Sequence, residues 1–276
     1  MNETAWQLKP EHEVLGAHFL QDRNIVKSYS NTELEIAGLK NNCGIFDLSF
    51  CHMYLISGAD AIRFASTCFA GKKLDVGECC LTTALSGTAE IIDAPILMRT
   101  GDFEFLVVSV SNNFQALGAW MLWMGKLENE GQRAFPRLNI TDQTASLTTL
   151  YLAGPDSMKI LSDYIGESVL LPADGRVDSM QLDKAPGIVA RLDIVEDPGF
   201  IVMLPPALSR VFWRSFLSFN SLEPCGQDAV LAYLKDSPWA ELMAMDDFKD
   251  KDSTELLGSE LIRSEADFVG ARGLNL

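Results

Sequence analysis

The stretch GIFDLSFCHM, Gly44–Met53, sets an acid, a thiol and an imidazole close together: Asp47, Cys51 and His52. These are the residue types of a thiol active site, where a base activates the sulfur and a third group orients the base. Such a site needs contact in space. The apolar and polar residues of IFDLSFCHMYLIS mix as they do in a strand, and neighbours on a strand leave on opposite faces. On that geometry Cys51 and His52 diverge. The stretch then reads as a helix end, a glycine turn and a first strand, with Cys51 a buried thiol.

The flanks agree. NTELEIAGLKNNCG reads as a helix, capped by Asn31 or Thr32, with Glu33 and Glu35 in its first turn and Gly44 at its end. After Gly58-Ala59-Asp60, ADAIRFASTCFAG has helical spacing. CCLTTALSGTAEIIDAPILMRTGDFEFLVVSVS reads as three strands separated by Ser-Gly and Thr-Gly-Asp turns, and Pro95 argues for an edge or bulge in the second. NNFQALGAWMLWMGKL is an amphipathic helix. ASLTTLYLAGPDSMKILSDYIG is a strand-to-helix unit turning at Gly154-Pro155. GIVARLDIVEDPGFIVMLP gives two strands, PALSRVFWRSFLSFN a helix, and EPCGQDAVLAYLKDSPW a short helix. Helix and strand groups recur in both halves without a βαβ rhythm. The expected class is α+β with mostly antiparallel sheets.

The chain has 276 residues, 47% of them hydrophobic, and a formal net charge of -16. That length buries one full core or two moderate ones. The charge argues against nucleic acid and against anionic membranes as partners. The start, MNETAWQLKPEHEVLG, lacks the basic and apolar regions of a signal peptide, and no apolar run is long enough to span a bilayer. Six cysteines without a CxxC pair read as reduced thiols, and the expected location is cytoplasmic. His12 and His18 lie in a start read as irregular. No Cys or His cluster has ligand spacing, so no metal site is expected. Trp120 and Trp123, at i and i+3 on a helix, read as core or interface.

Several motifs occur in a familiar order. LGAHFLQ is followed by GIFDLS with Ser57-Gly58-Ala59-Asp60, then by LDVGECCLTTALSGTAEIIDAPIL and FLVVSVSNN. LAGPDS, DPGFIVML, EPCGQDA and DFVGARGL follow. Together they resemble the aminomethyltransferase family, the glycine cleavage T-protein and its tetrahydrofolate-dependent aminomethyl- and methyl-transferring relatives, including demethylases. The resemblance runs from about residue 15 to residue 276. It implies a folate-binding fold of two similar antiparallel-sheet units with packed helices. The units are expected at roughly residues 15–140 and 141–276, making 1–276 one folate-binding region that lacks the family's C-terminal barrel domain. It implies tetrahydrofolate as cofactor, a small-molecule one-carbon donor and one-carbon transfer to folate.

The family's hairpin carries two adjacent acids. This chain has Asp93 at the first and Ala94 at the second. The family's pterin-gripping carboxylate falls at Ile201, its arginine at Val230, and an Asn-Asp pair near Phe69-Ala70. The resemblance leaves Asp93 as the catalytic and folate-binding candidate, against a plain strand acid pairing with backbone. Asn112 is a second cofactor-binding candidate, against a helix cap. Two readings stay open: a transferase with a remodelled, more apolar pocket, or a non-catalytic subunit or scaffold. The second calls for a homo-oligomer or a separate subunit where the barrel would pack. A third possibility is binding of an apolar or aromatic small molecule, such as a methoxylated substrate, in the more hydrophobic pocket.

Overall fold

The computed structural model describes residues 6–20, 24–29, 31–111, 114–166, 168–237, 239–241, 248 and 251–276. The architecture is α+β. It resolves into two compact units, each built from two chain segments: 1–50 with 145–240, and 51–144 with 241–276. The consecutive halves read from the sequence place one boundary near the 144/145 crossing. They do not capture the interleaving. Its cause is strand pairing: Cys43–Asp47 lies antiparallel to Thr148–Ala153, with Asp47 opposite Leu150 and Gly44 opposite Ala153.

The first unit is organised by a six-stranded sheet. From edge to edge it runs Arg176–Leu182, Ala185–Arg191, Gly199–Leu204, Thr148–Ala153, Cys43–Asp47 and Leu222–Pro224. Only the last pairing is parallel. Alternation along the strands sends Ile45, Leu150, Leu152, Val189, Phe200, Val202 and Leu204 to one face. The helices Ser157–Ser162 and Ser209–Phe216 cover that face with Ile160, Leu161, Phe212, Trp213 and Phe216. The helix Thr32–Asn41 is capped by Asn31, whose side chain accepts from the Glu33 and Leu34 amides. Its buried Glu35 accepts from the Tyr29 amide at 2.8 Å and the Gly226 amide at 2.7 Å.

The second unit holds a five-stranded antiparallel sheet in the order Asn139–Asp142, His52–Ser57, Glu104–Ser109, Ile96–Gly101, Cys79–Leu81. The helices Ala61–Cys68 and Phe114–Met124 pack on it through Phe64, Cys68, Leu117 and Met121, against Ile56, Leu97, Phe105 and Val107. Arg263 clamps the C-terminal segment to this unit. Its guanidinium donates to the carbonyls of Ser66, Phe69 and Gly71 at 2.6–2.7 Å.

The opening stretch departs from its reading as one strand. Cys43–Asp47 and His52–Ser57 are separate strands in different sheets. The break is an Asx turn: the Ser49 amide donates to Asp47 Oδ1 at 2.8 Å, and the Ser49 hydroxyl donates to the same oxygen. Gly44 does not end the helix, which stops at Asn41. It lies within the strand, where a Cβ would sit 2.4 Å from Leu39 Cδ2 and 2.7 Å from Cys225 Sγ. The start is also more regular than expected, with a helix at Lys9–Val14. The hairpin Arg176–Leu182/Ala185–Arg191 has no counterpart in the sequence reading of its first strand. It turns on Asp183 and Lys184, both at positive φ (46° and 68°), a turn made without glycine.

Candidate functional site

Asp93 closes the short strand Ile91–Asp93, opposite Ala84. The Ala94-Pro95 step then separates it from Ile96–Gly101, so Pro95 falls between strands as a proline should. The Asp93 side chain is fully buried. Ser109 Oγ donates to Oδ2 and Ser111 Oγ to Oδ1, both at 2.6 Å, and the Ala94 amide donates to Oδ1 at 2.7 Å. Burial pushes the carboxyl pKa up, against the pull of the two hydroxyls and the amide. All three donors are neutral. This carboxylate ties the end of one strand to the end of Glu104–Ser109, and Ala94 beside it is itself buried. Asn112 lies outside the described residues.

The other two positions lie in the first unit. Ile201 stands in Gly199–Leu204 between Tyr151 and Ala190, on the sheet face opposite the core named above. Val230 is on the helix Gln227–Tyr233. Both are 1% exposed. The Tyr151 hydroxyl is buried and has no hydrogen-bond partner among the described residues. Burial, then the neighbouring Tyr233, Asp193 and Cys43, push its phenol well above the usual range. Gly199 makes room for it, since a Cβ there would come within 2.9 Å of that hydroxyl. Tyr233 donates to Asp197 Oδ2 at 3.2 Å.

Residues 9–233 match the family described as the GCVT N-terminal domain. The chain belongs to this family. It is 24% identical over 226 residues to an aminomethyltransferase of Rubrobacter xylanophilus, covering 80% of this chain and 58% of the relative. It is 25% identical over 204 residues to an aminomethyltransferase of Francisella tularensis subsp. tularensis, covering 73% of this chain and 54% of the relative. The chain thus spans a little over half the length of these curated relatives. Among solved structures, the glycine cleavage system aminomethyltransferase T from Bartonella henselae superposes with a TM-score of 0.73 at 22% identity. That match covers 98% of this chain and 73% of the other, and it establishes a shared fold.

The family resemblance implies tetrahydrofolate, and the side chains at the positions that the resemblance assigns to its pterin are Ala94, Ile201 and Val230, none of them polar. A pterin edge presents N–H groups that a carboxylate pair-bonds. Here Ala94, Ile201 and Val230 offer none, and Asp93 is spent on two serines and an amide. Unpaired pterin N–H groups would cost about 1–3 kcal/mol each.

Asp47 does meet a histidine, but it is His12, thirty-five residues upstream. His12 Nε2 donates to Asp47 Oδ2 at 2.8 Å, and Trp6 Nε1 donates to the same oxygen at 2.7 Å. Tyr29 Oη lies 2.8 Å from His12 Nδ1, which in the neutral ring accepts its proton. His52 instead stacks on Phe114, with ring centroids 3.3 Å apart and planes within 3°. Burial lowers its pKa. Cys51 is buried, and burial pushes the Cys43, Cys68, Cys80 and Cys225 thiols above their ordinary value. Among the described residues no three of His, Cys, Asp and Glu gather as a metal site. No helix among them is long and apolar enough to cross a membrane.

Proposed function

We propose that this chain is a divergent homologue of the tetrahydrofolate-dependent aminomethyl and methyl transferases that serves as a non-catalytic folate-fold subunit or scaffold. The observation that carries this reading is the state of Asp93, the acid retained on the hairpin: buried, with three neutral donors bound and its pKa raised. A carboxylate so engaged has little capacity left to steady a cationic one-carbon unit or to exchange a proton with one. Partnership follows as part of the proposal, either with a copy of itself or with a separate chain. Calorimetry with tetrahydrofolate tests it. No saturable heat is expected up to millimolar ligand. Micromolar binding, with transfer from a methylated or aminomethylated donor, would overturn it.

A second reading keeps the enzyme, with one-carbon transfer to folate through a remodelled pocket. The partnerless Tyr151 hydroxyl favours it, because a buried donor without an acceptor suits a ligand carbonyl or amine. Under this reading Tyr151→Phe weakens tetrahydrofolate binding at least about fivefold. Under the first it changes nothing in that assay.

A further inference from the structure

Tyr151 stands in a row of side chains across the first unit's sheet. It lies directly opposite Phe46 on one neighbouring strand and Ile201 on the other, and Ala190 follows Ile201. Directly opposed residues share a face. This face is the one turned away from Ile45, Leu150, Leu152, Phe200 and Val202, and all four residues of the row are buried. The phenol reaches along the strands to Gly199, where a Cβ would meet its hydroxyl at 2.9 Å and its Cε2 at 3.2 Å. Tyr233, one turn past Val230 on the helix Gln227–Tyr233, is close enough to act on the charge of the phenol. Ile201 and Val230 are the two positions of this unit that the family resemblance assigns to folate contacts. The Tyr151 ring is the neighbour of the first, and the second shares a helix with Tyr233.

A buried tyrosine usually finds a partner for its hydroxyl. The chain has five tyrosines. Tyr29 meets His12, Tyr54 donates to the Phe114 carbonyl, Tyr164 meets Ser215, and Tyr233 donates to Asp197. Tyr151 alone has no partner among the described residues. The walls around it fit a flat ring and are not arranged for a hydroxyl. Protein interiors are close-packed, so the phenol and the ring of a ligand cannot share this space.

We propose that the Tyr151 ring plugs the place that the family resemblance gives to the pterin, so that the protein's own side chain holds the site shut. The proposal rests on the non-catalytic reading above and adds a cause to it. Lost polar groups weaken a ligand, whereas a plug excludes it. Restoring a polar group at position 201 therefore achieves nothing while the phenol stays.

The whole chain is compared as wild type, Ile201→Gln, Tyr151→Ala and Tyr151→Ala/Ile201→Gln, each titrated into dilute pterin and read by pterin fluorescence. Glutamine offers the pterin edge one acceptor and one donor without burying a charge. The wild type and Ile201→Gln are expected to show no saturable binding up to about 0.5 mM protein. The double variant should bind with a dissociation constant below about 0.5 mM, at least about fivefold tighter than Tyr151→Ala. An ordinary core cavity takes back a ring the size of the one removed and rejects a two-ring system. Variants without Tyr151 that fail to bind pterin therefore overturn the proposal, whether or not they bind phenol. Equal pterin binding with Tyr151 in place overturns it as well. If the double variant does not fold, Tyr151→Ala decides alone, with phenol added to refill the space and keep it folded and displacement of phenol by pterin as the readout. Wild-type binding of tetrahydrofolate would overturn the non-catalytic reading itself. A silent wild type whose Tyr151→Ala variants take phenol alone overturns only the plug.

Discussion

Asp47 and Asp93 are both buried carboxylates, and they do opposite things with their surroundings. Asp47 accepts from an imidazole, an indole and a serine, and the first two come from the N-terminal segment. It joins parts of the chain that are distant in sequence. Asp93 accepts from the next amide and from two hydroxyls at the end of the strand Glu104–Ser109, all within about twenty residues of it in the chain. One acid has a basic partner and organises a unit. The other has only neutral donors and fastens strand ends. Position in a family motif therefore says little about what a buried acid does; the donors decide it.

The largest effect expected from breaking this contrast is at Asp47. Asp47→Ala strands the buried His12 N–H and the half-buried Trp6 N–H, at about 1–3 kcal/mol each, read by urea melts. Amide exchange should rise over the helix Lys9–Val14 at the same time. A double-mutant cycle with His12→Ala should return strong coupling, and additivity would refute the pair.

Asp93→Ala comes next, at about 3 kcal/mol for the donors it strands. Asp93→Asn sharpens the comparison. The native carboxyl pKa is raised, so the folded protein holds this proton more tightly than the unfolded chain. Wild-type stability should fall, relative to Asp93→Asn, as pH rises from about 4 through the raised native value. A wild-type advantage that grows over that range would refute the assignment.

Gly44→Ala, aimed at the stretch where the sheets part, should cost about 1–3 kcal/mol by overpacking against Leu39 and Cys225. The smallest change is Tyr151→Phe, expected within about 1 kcal/mol of wild type or slightly stabilising, because the hydroxyl has no partner to lose. A loss well beyond that would show a bound water or ligand on the hydroxyl.

Much of this was legible in the sequence. Short apolar runs bounded by turn residues marked Thr148–Ala153, Gly199–Leu204 and Glu104–Ser109, and Asn31 announced its cap. The break after Asp47 was hidden because Phe50 and Cys51 prolong an apolar pattern through a turn made by an Asx contact. The hairpin at Asp183-Lys184 was hidden because its left-handed residues are not glycine. Asp93 was legible as a position. Its engagement was not, since Ser109 and Ser111 reach it from a different strand. His12 carried no local signal at all, because its partner is remote in the chain.

The interleaved units also constrain how the protein is made. During synthesis Cys43–Asp47 leaves the ribosome long before Thr148–Ala153, the strand that must lie beside it. The segment 51–144 emerges in between and carries all five strands of its own sheet. Vectorial synthesis therefore favours order in the inserted segment while the first unit waits with an open strand edge. A nascent chain stalled after residue 144 should protect Glu104–Ser109 from protease and leave Cys43–Asp47 open to it.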